Sequence, residues 1–380
     1  MTATTTQAAR PGALGAEQMQ GILARGPSYR ASPQAPAVAH AETVRRLWGG
    51  SLTPLMADAQ AQGRFARAAL TCPSTASAGM LSMAADARSK AWRNPEAIEN
   101  IFCLDGSLEL RYGQRLEHSL VLGRYDTVSV PAGVRHAFAN TGGGDVRALV
   151  VLSIAAGGSY DAIFDAADAH EPSPAYEALG ASFDGEPGAA ADAGTLGKRL
   201  ARFATLVPYK KDLNRTGGLP PEATEMLSAG SVCTLVVPEG HAGRSRTAPI
   251  YGNQGLYIAL AECRSGEDAP PAHAHWDTQE SFFFLDGTFE VYTGFDNESA
   301  VAVGPGDLVT VPKQVMRTFR NTSGKPARLL AIIQGPDRMS DAVAYSKKLG
   351  ADFARRFGDQ AIEAYRQIGM TFDAEERLGL

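Results

Sequence analysis

Three side chains able to hold a divalent transition metal lie close together in this sequence: His273 and His275, spaced as His-x-His, and Glu280 five positions later. Residues two apart on a β-strand point to the same face, so both imidazoles can enter one interior, and a facing strand can bring the carboxylate to the same point. Two histidines and one carboxylate form the facial triad that holds Fe(II) while leaving coordination positions open for a substrate and O2. Mn(II), Ni(II), Co(II) or Zn(II) can occupy the same ligands. The competing reading is that the His-x-His pair decorates a loop mouth or is a relic.

These residues sit in one of two copies of the same text. Glu-Asn-Ile-Phe-Cys-Leu-Asp-Gly at 99–106 matches Glu-Ser-Phe-Phe-Phe-Leu-Asp-Gly at 280–287, and the same offset carries Pro131 onto Pro312 and Asn140 onto Asn321 without a gap. A register shared over this length predicts two copies of one fold. At the positions of His273 and His275 the first copy has Trp92 and Asn94. Metal chemistry is therefore expected in the second copy, with the first as scaffold.

The chain's 380 residues, 44% of them hydrophobic, can bury two cores. Net charge is −5, the pI is near 5.9, and lysines and arginines are scattered rather than striped, which argues against a nucleic-acid surface and for a small-molecule partner. No apolar stretch reaches the length of about 18 residues that a membrane span needs, and Met1–Gln7 has no basic segment leading into an apolar run. No membrane contact and a cytoplasmic location are expected, with Cys72, Cys103, Cys233 and Cys263 as free thiols.

The elements that must position the ligands read as β. Phe282–Leu285 and Thr288–Tyr292 flank Asp286-Gly287, a pair that favours a tight type I′ hairpin, and Leu308–Val311 ends at Pro312 as a short strand. Val128–Val130 before Pro131 and the apolar run Ala148–Leu152 repeat this in the first copy. Many short strands separated by Gly and Pro turns predict an all-β fold, closed or sandwiched and antiparallel. Composition divides the chain into a mobile leader at 1–35, a first domain at 36–156 that opens on a helix, an acidic Pro/Gly-rich linker at 157–199, a second domain at 200–336, and helices at 337–380.

His273-x-His275-x-x-x-x-Glu280 followed by Gly287, Gly306, Pro312 and Asn321 resembles the two motifs of the cupin superfamily, and the tandem arrangement resembles a bicupin of the quercetin 2,3-dioxygenase type. The resemblance covers about 92–153 and 271–335. It implies two double-stranded β-helix (jelly-roll) barrels with flanking helices, and a homodimer as a common assembly. It also implies a metal held by three histidines and one glutamate. Neither copy keeps that set: where the last histidine belongs, the second copy has Arg317, and the first has His136 but lacks the earlier pair. Glu99 and His136 are thus secondary candidates, expected as an interior hydrogen-bonded pair.

Arg317 opens two readings. As an inward cation it can neutralise Glu280 in a metal-free barrel, or it can clamp the carboxylate or enolate of a bound substrate. The leading expectation is a metal-dependent oxygenase of the dioxygenase kind, acting in the second barrel on a small anionic or enolisable substrate, aromatic ones included. Its metal ligands are His273, His275 and Glu280, and its catalytic residues are Glu280 and Arg317. The alternatives are a non-redox isomerase, lyase or decarboxylase using the same ion, and a metal-free ligand-binding or structural bicupin.

Overall fold

The computed structural model describes all residues except 1–9, 27–31, 73–75, 171–172, 209–220, 242, 244–247, 254, 267–268, 336–339 and 341. Each copy of the repeat folds as two largely antiparallel sheets. In the first copy a seven-stranded sheet contains Ser51–Ala57, Ala76–Met83, Ile98–Asp105, Thr127–Val130 and Val146–Ser153, and a six-stranded sheet contains Trp92–Arg93, Leu108–Tyr112, His118–Leu122 and His136–Asn140. The second copy repeats both sheets strand for strand. Ser231–Val237, Leu256–Cys263, Gln279–Phe284, Leu308–Val311 and Ala327–Gln334 form one, and His273–His275, Phe289–Thr293, Ser299–Val303 and Arg317–Asn321 form the other.

The burial pattern explains why the strand text is a continuous apolar run rather than an alternation. Phe282 and Phe284 enter the core of the second copy, as Ile101 and Cys103 enter that of the first. The residues between them, Phe283 and Phe102, point the other way into a third core. That core also takes Met56, Leu149 and Val151 from the first copy and Leu260, Leu330 and Ile332 from the second. The two larger sheets thus stack on each other, and a strand covered on both faces needs apolar residues at every position. Asn253 completes this interface with buried hydrogen bonds to Asn100, Ser129 and Ser153.

Three expectations are corrected. Asp286-Gly287 does not close a hairpin, because Gln279–Phe284 and Phe289–Thr293 belong to different sheets. Among the two, only Gly287 has positive φ, at +70°, and an added Cβ there would lie 2.4 Å from the Ala327 Cβ. The Asp286 carboxylate accepts from the Arg328 backbone N–H at 2.7 Å, which ties the crossover down.

The segment at 1–35 is not wholly a loose leader. Its first nine residues lie outside the described set, but Leu23–Ala24 pairs with Leu308–Val309, Met19 is buried, and Met316 donates its N–H to the Gly12 carbonyl. Residues 157–199 are not a linker either: Ala162–Asp165 extends the six-stranded sheet beside Trp92–Arg93, and Ala181–Asp184 runs parallel to it after the helix Pro174–Leu179. The C-terminal segment does the same for the second copy. Val343–Tyr345 pairs with His273–His275, and Met370–Thr371 runs parallel to it after the helices Lys347–Phe357 and Asp359–Gln367. The repeat therefore extends past each barrel, in segments whose sequences have diverged.

Candidate metal centre

Adjacent-strand register builds the site. His273 pairs with Arg317 on one side and Tyr345 on the other, while Glu280 comes from the opposite sheet, where it pairs with Val311 and Ile333. The short strand His273–His275 turns both imidazoles inward. His273 Nε2 lies 3.4 Å and His275 Nε2 3.3 Å from Glu280 Oε2, and one ligand atom from each of the three residues fits within a 4.8 Å cluster. All three residues are buried.

The outer nitrogens decide what the inner ones present. His273 Nδ1 lies 2.9 Å from the Pro271 carbonyl, which can only accept, so Nδ1 carries the proton and Nε2 a lone pair. His275 Nδ1 lies 2.9 Å from Thr278 Oγ1. Although both Nε2 atoms are close to Glu280 Oε2, neither is aligned to donate to it, and this buried oxygen accepts no hydrogen bond. His273 Nε2 and Glu280 Oε2 thus meet as two acceptors, and His275 Nε2 is the third when the Thr278 hydroxyl accepts from Nδ1. That arrangement is costly in a buried interior unless a cation joins it, and the tautomer-fixing partners are those of metal-bound histidines.

Electrostatics favour the ligand states. Burial drives the His275 pKa down to about 4 against the pull of Glu280, which leaves its ring neutral at pH 7. Burial opposes the charge on Glu280, and its carboxyl is held well below the usual range by His275 and His273 in so far as these rings carry a proton toward it, a place that a bound cation would take.

Arg317 is fully buried and does not pair with Glu280. Its Nη2 donates to the Pro312 carbonyl at 2.7 Å, and Nε and Nη1 have no partner. Burial lowers its pKa to about 10, against the pull of Glu280, so it remains a cation. The direct Arg317–Glu280 ion pair of the metal-free reading is absent.

A cavity of about 90 Å³ opens beside the cluster, with room for several water-sized groups. His273 and Glu280 form its polar end, and Val232, Tyr257, Ala259, Ile333 and Tyr345 are among the residues of its walls. Arg317 does not line it, so the expectation of a direct substrate clamp lacks a contact. Phe282, Phe284 and Phe289 are core rather than cavity wall.

The first barrel holds the same positions with different chemistry. Trp92 pairs with His136 as His273 pairs with Arg317, which fixes the 181-residue correspondence. Glu99 Oε2 is surrounded: Asn94 Nδ2 donates at 2.5 Å and Trp92 Nε1 at 3.3 Å, and His136 Nε2 lies at 3.2 Å. Arg64 reaches the same oxygen at 4.0 Å and donates to Asn94 Oδ1 at 2.9 Å. Despite burial, His136 and Arg64 hold the Glu99 carboxyl below its ordinary value. Glu99 and His136 are thus parts of a closed hydrogen-bond network. Among the described residues, His273, His275 and Glu280 form the one group of three or more with metal-ligating geometry.

Sequence reading missed Arg64, Thr278 and Pro271. Arg64 precedes the first motif with no counterpart in the repeat, and Pro271 acts through its carbonyl, so neither carries a signal. Thr278 is a hydroxyl two residues before Glu280, which a search for partners of the histidines could have raised.

Residues 79–152 and 259–333 match the family model of the cupin domain, and with two such domains the chain is a bicupin of the cupin superfamily. No curated protein matches it by sequence. Among solved structures, it is similar to oxalate decarboxylase from Lactobacillus farciminis in a formate complex, at 17% identity and a TM-score of 0.50 over 80% of this chain and 86% of that one. A tryptophan-to-tyrosine variant of Bacillus subtilis oxalate decarboxylase gives 15% identity and a TM-score of 0.50 over 84% and 81%. Likeness at this identity establishes the fold and leaves the reaction open. No described helix is long and apolar enough to cross a membrane.

Proposed function

We propose that the second barrel is the active site of a metal-dependent oxygenase acting on a small enolisable substrate. The observation that carries this reading is the convergence of His273 Nε2, His275 Nε2 and the orphaned Glu280 Oε2 within 4.8 Å, with the outer ring nitrogens already engaged. Fe(II) fits this ligand set first, and Mn(II), Ni(II), Co(II) and Zn(II) also suit it. A bound ion of this kind supplies a Lewis-acidic centre with open positions for substrate and O2.

The chain's own residues do the rest. Pro271 and Thr278 keep the imidazole lone pairs aimed inward, and the apolar wall excludes water from the substrate. Glu280 is the one carboxylate among the described cavity-lining residues, so it is the group positioned to accept a proton from an enolisable carbon. Its low pKa makes it a weak base, which would suit a substrate whose acidity a bound ion had raised. Arg317 acts as a positioning residue: a fixed positive charge behind the cluster that favours negative charge developing on the substrate. Both atoms of O2 enter the product, so no external reductant is required.

Oxygen uptake by Fe(II)-loaded protein with small 1,3-dicarbonyl compounds is the test. Consumption of one O2 per substrate, lost in Glu280→Gln, is expected. Turnover of the same compounds without oxygen uptake would replace this reading with a non-redox lyase or isomerase at the same ligands.

A further inference from the structure

The cavity itself carries information about the ligand. Its lining is mostly apolar, with Val232, Ala259, Phe319, Ala331 and Ile333 among the residues of the wall, and His273 and Glu280 as its ionisable groups; the hydroxyls of Ser228, Tyr257 and Tyr345 are hydrogen-bonded within the protein. Among the described residues no lysine or arginine lines it, and the one buried cation nearby, Arg317, is turned to the Pro312 carbonyl. A small dianion held here would keep one charged end against a mostly hydrocarbon wall with no lysine or arginine among the described lining residues to pair with it, which is strongly unfavourable. A molecule with one oxygen-bearing head and a short hydrocarbon body would satisfy both ends, with head at the cluster and body against the wall.

We infer that the second barrel binds a short, uncharged ketone or 1,3-diketone of predominantly apolar surface, and that it discriminates against small dicarboxylates such as oxalate. This rests on the proposed metal centre for the head group alone; the selectivity resides in the wall, which can be altered without touching a ligand. Ala331 is the lever. It lies on Ala327–Gln334 opposite Ala259 and Phe282, and a larger side chain there would project into the space the hydrocarbon body needs.

The experiment is saturation-transfer NMR on full-length, zinc-loaded protein with pentan-2-one and pentane-2,4-dione as probes and oxalate as competitor, with zinc content measured before and after. Both probes should show transfer, oxalate should fail to displace them, and Ala331→Phe should weaken probe binding about tenfold or more with zinc content unchanged. Val232→Asp, at a partly exposed wall position on a strand that carries no ligand, should do the same by charging the wall, and covers the case in which the phenylalanine variant does not fold. Displacement by oxalate, or probe binding indifferent to both substitutions while zinc stays bound, would overturn the inference. Zinc that never binds would instead remove the metal reading, an outcome the elemental measurement separates from the first.

Discussion

In the first barrel a buried glutamate meets an indole N–H, an amide N–H2, a histidine and a guanidinium; in the second, the glutamate at the same strand position meets two imidazole nitrogens and no aligned donor. Both carboxylates are buried on a strand of a seven-stranded sheet and both stay ionised. The difference lies in who supplies the compensating charge. Arg64, Asn94 and Trp92 supply it from within the chain in the first barrel, so nothing further is needed. The second barrel leaves the position open, and Arg317, although close enough to act Coulombically, spends its one hydrogen bond on a carbonyl. On the proposed reading, the internally satisfied site is scaffold and the unsatisfied one of the same shape is where a ligand binds.

The largest effect that would sharpen this contrast is in the first barrel. Glu99→Ala strands Arg64 in the interior and should destabilise the protein by about 3–5 kcal/mol, as for other broken buried ion pairs, measured by urea unfolding. A loss below about 1 kcal/mol would mean that Arg64 is solvated by another route and the network is not what holds that barrel.

The next is a transplant in the second barrel. Arg317→His places the ligand of the family pattern opposite His273 and removes a repelling cation, so metal affinity should rise by about 10–100-fold, the scale on which outer-sphere and ligand changes act. Weaker binding in competition with a chelator would show that Arg317 supports the metal instead of opposing it.

The smallest is His136→Gln. The amide can still donate to Glu99, so stability should change by about 1 kcal/mol or less, and metal content should stay the same. Metal content halved by this change would establish a second site in the first barrel and erase the contrast.

Much of this was legible in the chain before its fold. The offset between Glu99 and Glu280 fixed the two copies, and carrying it to Trp92 and His273 located the same strand pair in each. His-x-His gave the inward pair because alternation on a strand is a local rule. Other features depended on partners far away in sequence. Asp286-Gly287 has the composition of a hairpin, yet which sheet each flanking strand joins is set by long-range pairing. The acidic run at 157–199 looks unstructured because its strands are short and each is half exposed, although Ala162 and Phe164 are core. Arg64 closes the first barrel from a 3-10 turn, Gly63–Phe65, with no periodicity to announce it.

Metal content tests the central claim most directly. Protein purified anaerobically and loaded in turn with Fe(II), Mn(II) and Zn(II), then desalted and analysed for metals, should retain about one ion per chain, and His273→Ala/His275→Ala should retain none while melting like the metal-free wild type, because a single carboxylate cannot hold the ion. Substoichiometric metal in the wild type, or an equal amount in the double variant, would contradict the account.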